Sequence, residues 1–298
     1  MRGSIRTALA GAVGSCLLAV LAPTAASAAT TSTTTPAPVD CATPPGGRTD
    51  AVRLAPGQTL YPGKSLTNGT ENLTMQDDGN LVMYLRDADG HNGPAIWNSG
   101  TWGHINAEAQ MQQDGNLVIY TSPDMDYRPI WNTGTWGHPG SCAVLGANGD
   151  FQVMSHQKSG TALVIWHTAT GQPNPGDTDP TRLQAGAAMG PGDWRASRTT
   201  WLVLQGDGNL VLYRKSDNAP LWNTGTSGHK NPVATMNADG NLRLVWADNG
   251  PDWGITGSTS SNTSGNPGAT AVVQDDGNFV IYRTDGKPVW QSGTWGKA

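Results

Sequence analysis

The chain has 298 residues, a formal charge of −5 and 14% charged residues, with 39 Gly, 20 Pro and 12 Trp against 2 Phe. That length suits about two domains of ordinary size. The charged fraction is well below the usual ~25%, Glu occurs only at Glu71 and Glu108, and no long helical periodicity is visible. Short apolar runs punctuated by Gly predict an all-β chain, and the acidic balance leaves no basic footprint for nucleic acid.

In chain order, residues 1–28 predict a signal peptide. Arg2 and Arg6 precede the apolar stretch Ala8 to Leu21, and Ala26-Ser27-Ala28 suits cleavage after Ala28. No later segment is long and apolar enough to span a membrane. The expectation is a secreted, extracellular product without stable membrane insertion. Residues 29–48 form a Thr- and Pro-rich leader with no basis for a packed core. After cleavage, Cys41 and Cys142 remain, and two thiols in an exported protein predict one disulfide. Closing so long a loop would stabilise by ~4–5 kcal/mol in the chain-entropy picture.

A tandem duplication follows. RLAPGQTLYPGKSL begins at Arg53 and its counterpart RLQAGAAMGPGDW begins at Arg182. The expected boundaries are a first domain over 49–172, a linker over 173–180 rich in Pro and Gly, and a second domain over 181–298. Each half contains three shorter repeats of about 35 residues, a period that means one supersecondary unit per repeat. A Trp marks one slot in every repeat, at Trp97, Trp131, Trp166, Trp222, Trp253 and Trp290. These predict a shared core. Three units per half suit a three-sided prism of small antiparallel sheets around a pseudo-threefold axis. A propeller usually needs at least four blades of ~40–45 residues.

Four repeats carry the phrases MQDDGNLVMY from Met75, MQQDGNLVIY from Met111, LQGDGNLVLY from Leu204 and VQDDGNFVIY from Val273. If each is one continuous strand, alternation puts Gln76, Asp78, Asn80, Val82 and Tyr84 on an outer face and Met75, Leu81 and Met83 on the buried face. Amide, carboxylate, amide and phenol together both donate and accept hydrogen bonds, as sugar hydroxyls require. The Val offers an apolar contact for ring C–H groups. Two copies are degenerate. Gly146, Asn148, Asp150, Gln152 and Met154 hold the row in one, and Asn237, Asp239, Asn241, Arg243 and Val245 in the other.

The motif Gln-x-Asp-x-Asn-x-Val-x-Tyr, repeated in phase with a Trp-marked unit, resembles the mannose-binding motif of the bulb-type, snowdrop-like lectins of monocots. The resemblance covers both halves, from about Arg53 to Gly171 and from Arg182 to Trp295. It implies two tandem β-prism II domains and a non-catalytic carbohydrate-binding role. It also implies that Gln76, Asp78, Asn80 and Tyr84 hydrogen-bond a mannose while Val82 touches its ring. The same roles fall to Gln112, Asp114, Asn116, Val118 and Tyr120, to Gln205, Asp207, Asn209, Val211 and Tyr213, and to Gln274, Asp276, Asn278, Val280 and Tyr282. The two degenerate rows are not expected to bind mannose. This chain departs from the family in lacking its usual Cys pair within one repeat.

No cofactor or metal is expected. The Asp-Asp-Gly-Asn strings lack the further acidic ligand of a calcium loop. His104, His138 and His229 recur at equivalent positions that a threefold prism would keep apart. No GxSxG or HExxH string occurs, and the two Glu leave little for a glycosidase. The expected partners are mannose-containing or related glycans on cell surfaces or polysaccharides. A homodimer, a lectin-like bacteriocin on the same scaffold and a cell-envelope adhesion role all stay open.

Overall fold

A computed structural model describes residues 41, 52–156, 162–170, 179–250 and 254–298. The expected signal peptide, nearly all of the leader and most of the linker lie outside these residues. The first half contributes β1 (Arg53–Leu54), β2 (Thr59–Leu60), β3 (Lys64–Thr67), β4 (Glu71–Met75), β5 (Leu81–Arg86), β6 (Asn92–Asn98), β7 (Glu108–Met111), β8 (Leu117–Tyr120), β9 (Pro129–Asn132), β10 (Cys142–Leu145), β11 (Phe151–His156) and β12 (Ala162–His167). The second half contributes β13 (Arg182–Leu183), β14 (Ala188–Met189), β15 (Trp194–Ala196), β16 (Thr200–Leu204), β17 (Leu210–Arg214), β18 (Pro220–Asn223), β19 (Val233–Met236), β20 (Leu242–Trp246), β21 (Gly257–Ser260), β22 (Thr270–Val273), β23 (Phe279–Tyr282) and β24 (Pro288–Gln291).

These strands make six antiparallel sheets of four strands, each drawn wholly from one half of the chain. Every repeat supplies three consecutive strands, and the fourth comes from the segment that opens its half. Thus β1 joins β10-β11-β12, β2 joins β7-β8-β9, and β3 joins β4-β5-β6, while β13, β14 and β15 do the same in the second half. The opening segment therefore passes along all three sheets in turn and ties them into one prism, as expected for the β-prism II architecture. No strand is exchanged between the halves among the described residues.

The alternate residues of the inner strands fill each prism. Leu73, Met83, Leu117, Ile119, Phe151 and Val153 are buried in the first. At its centre Trp97, Trp131 and Trp166 meet edge-to-face, with ring centroids 5.9, 6.1 and 5.6 Å apart. Edge-to-face pairs of this kind add ~0.5–1.5 kcal/mol each beyond the area they bury. Both halves fall within one compact unit, Pro38–Ala298. Trp194, Ala196, Trp201 and Val203 of the second half pack into the core cluster of the first. Gly93 is needed at this contact, because a Cβ there would lie 2.6 Å from the Trp201 ring.

The second half departs from the sequence expectation at one slot. Trp222 and Trp290 meet at 5.4 Å, opposite Leu212 and Ile281. The third position, opposite Leu244, holds Thr259 and not Trp253. Trp253 itself lies outside the described residues. The stretch before β21 is longer than in the other repeats, and the length, not the nearest Trp, sets which residue enters the register. The vacancy is a cavity of about 150 Å³ lined by Leu210, Trp222, Leu242, Leu244, Thr259 and Trp290, among others.

Glu71 is a second local cost. It is fully buried and its Oε1 has no hydrogen-bond partner. Burial pushes its carboxyl above the ordinary 4.5, outweighing the hydrogen bond from Thr70. The folded state therefore holds this proton more tightly than the unfolded chain, so the group's contribution to stability falls as pH rises above about 4.5.

Two outcomes are expected. Thr259→Trp should fill the cavity and raise the stability of the second half by ~1–3 kcal/mol, given ~24 cal/mol per Å³ of void less some packing strain. The readout is the urea midpoint, and a lowered midpoint would refute the vacant-ring account. Glu71→Gln should stabilise the protein at neutral pH and flatten the decline of melting temperature between pH 4 and pH 7. An unchanged pH profile would mean that Glu71 is not the group responsible.

Candidate functional site

The repeated phrase is a hairpin turn followed by a strand, not the single strand that alternation predicts. Gln76 to Asn80 form the turn between β4 and β5, and only Val82 and Tyr84 lie on β5. The turn is closed by Gln76 N–H to Asn80 O at 2.9 Å and Gly79 N–H to Gln76 O at 3.0 Å. Gly79 has φ of +90°, and a Cβ there would lie 2.1 Å from the His104 carbonyl oxygen. Only Gly satisfies both demands. The carboxylate of Asp78 accepts the Asn80 N–H at 2.9 Å, an Asx-type closure.

The turn changes which groups meet. On a straight strand Gln76 and Tyr84 would stand ~26 Å apart at 3.3 Å per residue. Here Gln76 Nε2 donates to the Tyr84 hydroxyl at 2.8 Å. The other complete copies repeat the bond, from Gln112 to Tyr120 at 2.8 Å, from Gln205 to Tyr213 at 2.9 Å and from Gln274 to Tyr282 at 2.9 Å. Because the phenol oxygen accepts from the amide, its own proton remains to be donated elsewhere. Burial, helped by the nearby Asp78, pushes the Tyr84 phenol above 10.0 against the lowering effect of the Gln76 bond, and Tyr213 is raised in the same way. Both hold their protons at neutral pH.

Asn80 faces two ways. Its Oδ1 accepts from Ser99 Oγ and the Thr101 N–H, both at 3.1 Å, which fastens the turn to the end of β6. Its Nδ2 has no such bond among the described residues. Asn116 does the same with Thr133 and Thr135, Asn209 with Thr224 and Thr226, and Asn278 with Ser292 and Thr294. The sequence reasoning missed these hydroxyl partners, although the Ser/Thr-Gly-Thr that begins two residues after Trp97, Trp131, Trp222 and Trp290 is their signal. The Val of each row also differs from expectation. Val82, Val118 and Val211 are 3% exposed and Val280 2%, so they support the polar groups from beneath more than they offer an open face.

The four complete sites are not equal. At the first two, one Asp oxygen and the Asn amide nitrogen are left free among the described residues. At the third, Ser227 Oγ donates to Asp207 Oδ2 at 2.8 Å. At the fourth, Asn278 Nδ2 donates to Gln291 Oε1 at 2.9 Å. Gln291 stands where Asn98, Asn132 and Asn223 stand in the other three, and the longer side chain reaches the amide.

The degenerate copies are closed in different ways. Asp150 takes the place of Asn80, and both of its oxygens are used, by Thr168 at 2.9 Å, by Gln152 at 3.0 Å and by His167 at 3.0 Å. Met154 replaces the Tyr, and the Cys41–Cys142 disulfide packs on it. The expected Cys pair is therefore formed, and it covers that end of the row. In the fifth repeat Asp239 and Asn241 keep their bonds to the turn, to Ser261 and to Thr263. Only the Gln, Val and Tyr are lost there, with the Arg243 guanidinium reaching Ser258. The Asp and Asn thus serve the fold in this copy as well. His104 and His229 are engaged locally, by the Thr101 carbonyl and by Asp248.

No family model matches the chain. It is 42% identical over 80 residues to curculin-2 of Molineria latifolia, covering 26% of this chain and 46% of that one. It is 44% identical over 69 residues to a mannose-specific lectin of Narcissus pseudonarcissus, covering 23% of this chain and 58% of that one. The chain spans about half the length of the curated relatives it matches. Among solved structures, a monomeric monocot mannose-binding lectin from Gastrodia elata is 32% identical over 39% of this chain and 98% of its own, with a TM-score of 0.33. Over these stretches the chain is similar to bulb-type mannose-specific lectins.

Proposed function

We propose that this protein is a secreted, non-catalytic lectin that binds mannose or mannose-like glycans through several sites at once. One observation carries the reading. At each complete first-half site, an Asp oxygen, an Asn amide nitrogen and a Tyr hydroxyl proton are left over after the internal hydrogen bonds are counted. A set of one acceptor and two donors fixed on a rigid hairpin suits vicinal hydroxyls, which both donate and accept. The Tyr84 and Tyr213 phenols, raised by burial, keep their protons, so the chemistry supported is recognition and not proton transfer. The likeness to mannose-specific lectins favours the same ligand class.

The domains proposed are residues 49–172 and 181–298, supported by sheets that each come from one half. Residues 1–28 are proposed as a cleaved export signal. Single shallow sites of this kind bind at about millimolar Kd, or −4 kcal/mol, and linking several on one chain raises avidity 10²- to 10⁴-fold where geometry permits.

The test spares Asn80 and its equivalents, because their replacement would also unfasten the turn. Tyr84→Phe, Tyr120→Phe, Tyr213→Phe and Tyr282→Phe together remove four hydroxyls. Each loss is worth ~1 kcal/mol, or about fivefold per site. Wild-type protein is expected to be retained on immobilised mannan and eluted by methyl α-mannoside, and the folded quadruple variant to flow through. The free Asp and Asn atoms at the first two sites further predict that the Tyr84/Tyr120 pair of changes costs more retention than the Tyr213/Tyr282 pair. A folded wild type that ignores mannan sinks the mannose assignment, and equal losses from the two pairs sink the ranking.

A further inference from the structure

The residue after the Thr that closes each turn is Trp102, Trp136, Gly171, Ser227, Ser264 and Trp295 in the six repeats. A Trp stands there only where the Gln-Asp-Asn-Val-Tyr row is complete, in three of those four copies, and in neither degenerate copy. These rings take no part in the core. Trp102, Trp136 and Trp295 are 70%, 65% and 74% exposed, whereas Trp97, Trp131 and Trp290 of the same repeats pack against the interior. Single exposed apolar residues are ordinary, but three of the largest side chain in phase with a binding motif are not explained by the fold.

Ser227 shows where this position lies. The preceding Thr has one role throughout, with Thr101, Thr135, Thr226 and Thr294 donating to the carbonyls of Gly79, Gly115, Gly208 and Gly277 at 2.6, 2.7, 2.8 and 2.6 Å. The Thr is therefore placed alike in all four, and the chain after it turns back to the Asp of the row, with the His104 and His138 N–H bonded to the Asp78 and Asp114 carbonyls and the Gly228 and Gly296 N–H bonded to those of Asp207 and Asp276. Ser227, next in sequence, touches the Asp207 carboxylate at 2.8 Å. Trp102, Trp136 and Trp295 lie in the short segment between that Thr and the backbone bond to the Asp, so they stand beside the Asp edge of their sites with their rings in solvent.

We propose that these three Trp form an aromatic subsite for a second pyranose ring, so that each of the three sites reads two adjoining sugar residues of a glycan and not one. This rests on the mannose reading above. The polar row takes the hydroxyls of the first residue. The indole offers a broad, rigid apolar surface at little conformational cost, suited to the C–H face of the second. The third site, with Ser227, lacks the platform and has its Asp oxygen occupied as well.

The experiment titrates methyl α-mannoside and α-linked mannobiose into wild-type protein and into a variant with Trp102→Ala, Trp136→Ala and Trp295→Ala. All three rings are exposed, so folding should be undisturbed, and circular dichroism checks it. The expected result is unchanged affinity for the monosaccharide and a loss of about threefold to tenfold for mannobiose, the range of one aromatic contact. Wild-type tryptophan emission should shift to the blue with mannobiose and not in the triple variant, and Ser227→Trp should strengthen mannobiose binding. Equal mannobiose affinity in wild type and triple variant would overturn the subsite while leaving mannose recognition intact. Wild-type protein that binds neither sugar would overturn both.

Discussion

The structure depends on a tight turn whose carbonyl neighbour leaves no room for a side chain. At Gly79 the His104 oxygen occupies the place of a Cβ, and Gly115 and Gly240 are confined in the same way by His138 and Asn266. That contact brings the end of each outer strand against the hairpin of its own repeat. The Asp and Asn of the phrase then complete the closure, one by bonding the turn and the other by bonding the Ser and Thr hydroxyls beyond the Trp. The proposed binding site and a structural joint thus share the Asp and Asn of each phrase. The site is rigid because the joint must be.

The second dependency is the opening segment of each half. A repeat has only three strands, and its prism closes only when β1, β2 and β3, or β13, β14 and β15, have been laid along the three sheets. Three indoles then fill the axis of the first prism. In the second, Thr259 leaves one ring missing and a cavity in its place. The second half gives up axial packing and presents Trp194 and Trp201 to the first half's core instead. Its stability is tied to the neighbour in a way that the first half's triad is not.

Duplicated sites drift by the groups the fold can spare. The fifth repeat retained the Asp and Asn that hold its turn and lost the Gln, Val and Tyr that do not. The third holds Asp150 in place of the Asn, and its second oxygen gathers Gln152 and His167. The disulfide then covers the rest. Even among complete copies, one residue outside the phrase, Ser227 or Gln291, suffices to occupy an atom that is left free at the first two sites among the described residues.

The sequence by itself determined the all-β class, the duplication, the three repeats per half and the inward Leu and Met positions. These follow from composition and from short-range periodicity, which one chain displays in full. The Cys41–Cys142 pair was also legible, because two thiols left after the expected signal segment have few alternatives. Only the tertiary structure decided that Gln76 and Tyr84 touch, since a turn and an extended strand can carry the same alternating phrase. It decided too that Thr259 and not Trp253 enters the axis, because register is set by the closure of the whole sheet. The spare hydrogen-bonding atoms are likewise a tertiary matter. An Asn or Asp is free only after every neighbour brought in from thirteen or more residues away has taken its share.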